Sequence, residues 1–124
     1  RNEKSFQKQL NSDTNKFAKR FSKRNWGAAR KILNIFLRDV LYNRYLCEHF
    51  EFDKLEHWLE VPLDGLVADR LLKETEKKEL PQWPRIKRLT AKLSRKYQLA
   101  ASRIAAREGI ATVHLDLIFW RRFA

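Results

Sequence analysis

The chain has 124 residues and a mass of 14.9 kDa, is 44% hydrophobic and 12% aromatic with four Trp, and so carries enough apolar sequence for one domain and excludes a disordered chain. Three Gly and three Pro leave little material for the turns of many short strands, which excludes a sandwich or barrel and points to an all-α fold. Lys and Arg number 27 against 15 Asp and Glu, giving +12 and a pI near 10.2, a field that attracts polyanions.

The expected architecture is a single compact domain, residues 1–124, of about five or six helices around a central buried helix, with 1–24 as a basic N-terminal helix and 25–124 as the core. Cys47 is the only cysteine, so no intrachain disulfide is expected and the chain reads as intracellular. No apolar run approaches the roughly 20 residues of a membrane span, so no membrane association is expected, and RNEKSFQKQL lacks the apolar centre of a signal peptide. The absence of Met reads as a processed, trimmed or internal piece of a longer product.

In the first stretch Phe6, Leu10, Phe17 and Phe21 recur at mostly helical spacing, with lysines and arginines on the other faces. Asn11, Ser12 and Asp13 could cap a restart, so two shorter helices are the alternative. Asn25-Trp26-Gly27 breaks the period. From Ala28 to about Tyr45 the pattern is apolar on most sides, as in a helix buried all round. Its exceptions, Arg30, Asn34 and Arg38, form one stripe that is expected to face something wet or charged.

Residues 48–60 turn acidic and carry Phe50, Phe52, Leu55, Trp58 and Leu59, suggesting a loop or short helix pinned by aromatics. Pro62 disfavours helix before it, and Asp64 is placed to cap a helix through Leu66, Val67, Leu71 and Leu72. Pro84 suits the first turn of a short helix bearing Arg85, Lys87 and Arg88. A long helix is expected from about Thr90 to Arg107, with Gly109 at its C-terminal stop, and a last short one within Ile110–Phe123.

The charge is uneven. Residues 1–24 hold eight basic and two acidic side chains, 79–108 again eight and two, while 48–78 lean acidic. If the two basic stretches lie side by side they make a phosphate-tracking face; if opposed, they are ordinary solvated helix faces. The candidate nucleic-acid contacts are Lys16, Lys19, Arg20, Lys23, Arg24, Arg30, Arg38, Arg85, Lys87, Arg88, Lys92 and Arg95. His49 and His57 stand among Glu48, Glu51, Glu56 and Glu60 without metal-site spacing, so no metal and no cofactor are expected. His114 and Asp116, two residues apart, do not share a helical face and read as ties of the last segment.

W-G-A-A-R-K-I-L-N-I-F-L-R, followed by E-V-P-L-D-G-L-V-A-D-R-L, resembles the second half of the helix-hairpin-helix DNA glycosylase superfamily, particularly its 8-oxoguanine glycosylase-like branch. Val61, Pro62, Leu63, Asp64 and Val67 match that family's strand-like entry into its next helix. The family's lysine normally falls two residues after the hairpin glycine, where this chain has Ala29; anchoring on F-L-R places Lys31 there instead. The resemblance implies DNA binding, Lys31 as a catalytic amine and Asp64 as the carboxylate beside it.

Such chemistry needs both groups. Breaking an N-glycosidic bond develops an oxocarbenium-like sugar that a carboxylate stabilises, while a desolvated amine can attack and form a Schiff base. The base must also leave the stack, for which Trp26 and Trp120 are candidate aromatic walls, although Trp side chains equally serve as core anchors. Two functions stay open: a DNA-binding domain, either a base-excision N-glycosylase or a binding relative without catalysis, and a helical adaptor whose basic face docks an acidic protein partner or RNA.

Overall fold

The computed structural model describes residues 2–21, 25–75 and 80–123, with side chains described for 2–20, 25–75 and 80–120. The described chain is all-α. Its helices are α1 (Glu3–Phe21), α2 (Trp26–Tyr42), α3 (Arg44–Phe50), α4 (Gly65–Glu74), α5 (Ala91–Glu108) and α6 (Leu115–Phe123). Short 3-10 turns cover Phe52–Trp58, Ile86–Arg88 and Thr112–His114.

The basic N-terminal helix is continuous. Leu10, Thr14 and Ala18 follow one another at four-residue spacing and are buried, and the Thr14 hydroxyl donates to the Leu10 carbonyl at 2.7 Å. Asn11 does not cap a restart because its Oδ1 accepts from the Arg30 guanidinium instead, at 2.8 Å. Lys23 and Arg24 lie outside the described residues.

Helix α2 begins at Asn25, whose Oδ1 accepts from the Ala28 N–H at 3.0 Å. A β-carbon on Gly27 would stand 2.1 Å from the Ile86 carbonyl oxygen and 2.9 Å from Leu89 Cβ. Only glycine lets the start of α2 touch the Ile86–Arg88 turn. The expectation that α2 is buried all round is overturned: Ile32 and Phe36 are 49% and 61% exposed. The polar stripe does face charge, but it does so out of solvent: Arg30 and Asn34 are buried against the Glu60 carboxylate. A strongly bonded polar group can be desolvated, whereas a single exposed Ile or Phe costs little.

The most deeply packed helix is α5. Tyr97, Ala100, Ala101, Ile104 and Ala105 join Val67, Ala68 and Leu71 of α4 and Leu115 and Phe119 of α6 in the main core. The alanines let neighbouring helices approach closely. Thr90 caps α5 through the Leu93 N–H at 3.2 Å, and Gly109 closes it at φ +73°, a left-handed stop that glycine adopts without penalty. A smaller core of Leu59, Ala111 and Val113 is covered by Phe6, Leu37, Leu41, Phe52 and Leu55.

Between these cores Leu59–Leu63 runs extended and buried, and no β-strand pairs with it among the described residues. Buried backbone groups need partners, and the Gln98 side chain supplies them: its Nε2 donates to the Val61 carbonyl at 2.7 Å and its Oε1 accepts from the Val61 N–H at 3.1 Å. One residue earlier, Arg30 forks onto Glu60, Nε to Oε1 at 2.9 Å and Nη2 to Oε2 at 3.0 Å. Asn34 and Gln7 also donate to that carboxylate, and Arg30 Nη1 reaches Thr14 at 3.0 Å.

Burial alone would raise the Glu60 carboxyl, but the Arg30 hydrogen bond and charge, with the Asn34 and Gln7 donors, hold it below the ordinary carboxylate value. Its contribution to stability is therefore present above the ordinary glutamate pKa and is lost as pH falls through the lower folded value. Arg30→Met strands a buried carboxylate and is expected to lower the urea unfolding free energy by about 3–5 kcal/mol. The double variant Arg30→Met/Glu60→Leu should recover most of that loss; additive losses would show that the two side chains do not act as one unit.

Candidate functional site

Lys31 and Asp64, which the sequence placed 33 positions apart, meet between α2 and the start of α4. Asp64 is the N-cap of α4, with Oδ1 accepting from the Val67 N–H at 2.9 Å. Its other oxygen, Oδ2, stands 4.0 Å from Lys31 Nζ, and each side chain is 36% exposed. The cap expected from Pro62-Leu63-Asp64 and the carboxylate implied by resemblance are thus the same residue, using different oxygens.

Seven residues along α2 from Lys31, and so on the same face, Arg38 pairs with Asp116 through Nη1 and Oδ2. Asp116 is 9% exposed at its side chain. Burial pushes its carboxyl above the ordinary aspartate value; the Arg38 charge and hydrogen bond and the Leu117 N–H pull it down without cancelling that effect, and the nearby Asp64 charge adds to the rise. Asp116 Oδ1 and Arg38 Nε are buried with no hydrogen-bond partner among the described residues. Four residues on along α6, on the Asp116 face, Trp120 is 59% exposed.

Beyond Arg38 the seam continues to the end of α2. The Arg38 guanidinium sits 5.9 Å from the Tyr42 ring centre, and the Tyr42 hydroxyl lies 2.9 Å from His114 Nδ1. His114 Nε2 is 2.6 Å from Glu56 Oε2. With Glu56 ionised and able only to accept, a neutral imidazole carries its proton on Nε2, and Nδ1 accepts from Tyr42. His114 thus ties the last segment, as its position suggested. Tyr42, Glu56 and the Arg38–Asp116 pair were missed because each contact joins residues far apart in sequence.

Other candidates fall elsewhere. Arg30, 3% exposed, is held by Glu60, Asn11 and Thr14 and is not on a surface that nucleic acid can reach. Trp26 is half-buried against the main core, and the Arg30 guanidinium lies 5.0 Å from its ring centre, so one ring face is already covered. Lys16, Lys19, Arg20, Arg85, Lys87, Arg88, Lys92 and Arg95 are exposed. The two basic stretches do adjoin at one place: Lys4 and Lys8 of α1 share a groove of about 620 Å³ with Arg95 of α5.

No group of three or more His, Cys, Asp and Glu is arranged to hold a metal among the described residues, and none of their helices is long and apolar enough to cross a membrane. No known protein family, curated protein or solved structure matches the chain.

Because the native state holds the Asp116 proton more tightly than the unfolded chain does, this group favours folding most below the ordinary aspartate pKa, and its contribution falls as pH rises through the folded value. Carboxyl-carbon NMR titration should find Asp116 above the ordinary aspartate midpoint. Arg38→Gln should move it further up, since Arg38 is the main group drawing it down; an unchanged midpoint would contradict the assigned cause.

Proposed function

We propose that the chain binds DNA and acts as an N-glycosylase on a base extruded against the Lys31–Asp64 pair between α2 and the start of α4. The observation that carries this reading is the 4.0 Å approach of Lys31 Nζ to Asp64 Oδ2 at a half-exposed position, with an exposed Trp120 and a buried acidic side chain on the facing helix. The net charge of +12 supports a polyanionic partner.

Asp64 takes a proton from the Lys31 ammonium, and the amine then attacks the anomeric carbon while the glycosidic bond breaks, its electron pair leaving with the base. Asp64 returns the proton to the departing base. Transfer of an N–H proton to the ring oxygen opens the sugar and leaves a Schiff base on Lys31. Once it has returned its proton to the base, the again ionised Asp64 stabilises the positive charge left on the Lys31–sugar adduct. Trp120 offers a ring face to the extruded base.

The helical-adaptor reading is favoured by a different observation, the exposed Phe36, Tyr45 and Phe50 on α2 and α3, an apolar surface suited to a protein partner. Competition between duplex, single-stranded nucleic acid and an unrelated polyanion separates the two readings.

Borohydride treatment with duplexes bearing oxidised or mismatched bases should trap a covalent adduct that Lys31→Ala abolishes. Asp64→Asn keeps a good helix cap and should leave the unfolding transition near that of the parent while lowering base release by at least about 100-fold. Duplex binding without base release or adduct would leave a binding protein and sink the enzymatic assignment.

A further inference from the structure

Arg85 stands at φ +73° and ψ 155°, a region of backbone space that only glycine occupies without strain. The strain is held in place from both sides. Before it, the Tyr97 hydroxyl donates to the Pro81 carbonyl at 2.6 Å, and the Trp83 ring packs edge-on against Tyr97 with centres 5.3 Å apart. After it, Ile86 carries the carbonyl that Gly27 meets, and Leu89 is buried in the main core. Arg85 is exposed between these anchors, so no packing of its own side chain accounts for an arginine where glycine would relieve the backbone.

The anchored loop forms a groove of about 570 Å³ walled by Gln82, Trp83, Pro84, Arg85, Lys87 and Arg88. None of its three cations is paired with a carboxylate among the described residues. Like charges gathered on a rigid loop repel one another and are relieved by a bound anion. The loop rests on α2 at Gly27, four residues and about 6 Å of helix rise from Lys31.

We infer that this groove binds the phosphodiester backbone of nucleic acid, with Arg85 strained so that its guanidinium aims at a phosphate, and that it sets the register of the strand relative to Lys31. The inference rests on the DNA-binding reading above and adds a defined backbone site to it. Phosphate contacts position a protein on its duplex without reading sequence, and arginine matches phosphate oxygens with a two-pronged fork.

Arg85→Gly tests it in the whole chain. Relief of strain should raise the melting temperature of the free protein. At the same time duplex affinity should fall about uniformly across sequences, and the slope of log affinity against log salt should shrink by about one unit. Lys87→Ala should give a similar slope change without the gain in melting temperature. A stabilised Arg85→Gly variant with parental affinity and slope would overturn the groove assignment while leaving DNA binding standing. No gain in melting temperature would overturn the strain account, and polyglutamate competing as well as duplex would show a mere charge effect in place of a phosphate site. Absence of duplex binding by the parent protein would remove the DNA reading itself.

Discussion

The arrangement of the molecule depends on the Arg30–Glu60 fork. It joins three pieces of chain that apolar contact alone would let slide: α1 through Asn11 and Thr14, α2 through Arg30 and Asn34, and the extended segment through Glu60. Burying two charges is costly, and their attraction offsets the cost only when geometry is good and the remaining donors and acceptors are satisfied. Here the guanidinium uses both prongs and the carboxylate accepts four hydrogen bonds. A fork has one register where a greasy face has several. Lys31 follows Arg30 directly and Asp64 lies four residues beyond Glu60, so the fork anchors the two segments from which Lys31 and Asp64 project.

Three carboxylates of the acidic middle pair with groups on other elements, while Glu48, Glu51, Asp53 and Asp69 stay exposed. Glu60 faces Arg30, Asp64 faces Lys31, and Glu56 faces His114. The basic groups of the Ile86–Arg88 turn and its flanks stay outside. Each of the Glu60 and Asp64 pairs withdraws one charge of either sign, so the excess of +12 is left to the remaining groups. The two buried carboxylates titrate in opposite directions for one physical reason: Glu60 is surrounded by donors, whereas Asp116 has one guanidinium and an oxygen without a partner.

What the sequence disclosed was whatever rests on neighbours in the chain. Thr90 and Gly109 marked the ends of α5 because caps are local chemistry, and Pro62 followed by Asp64 marked the start of α4 for the same reason. Lys31 and Asp64 were legible as a pair only through a resemblance, and the structure brings their side chains together. Illegible were contacts over long separations. Asp116 was read as a local tie, yet its partner Arg38 lies 78 residues away; Gln98, a polar residue on an alanine-rich face, gave no hint that it substitutes for a missing strand at Val61. The polar stripe of α2 was legible as facing something wet or charged, but not which charge, because Arg30 finds its counter-charge in a segment whose burial no periodicity announces.

Gly27 has a bearing on how such a chain can diverge. Its nearest obstruction is the main-chain oxygen of Ile86, so no exchange of side chain at position 86 makes room for a larger residue at 27. Descendants that keep the loop must keep the glycine, and those that lose the glycine must re-route the loop and with it the cations it carries. The two features are inherited as one character although nearly sixty residues of sequence separate them.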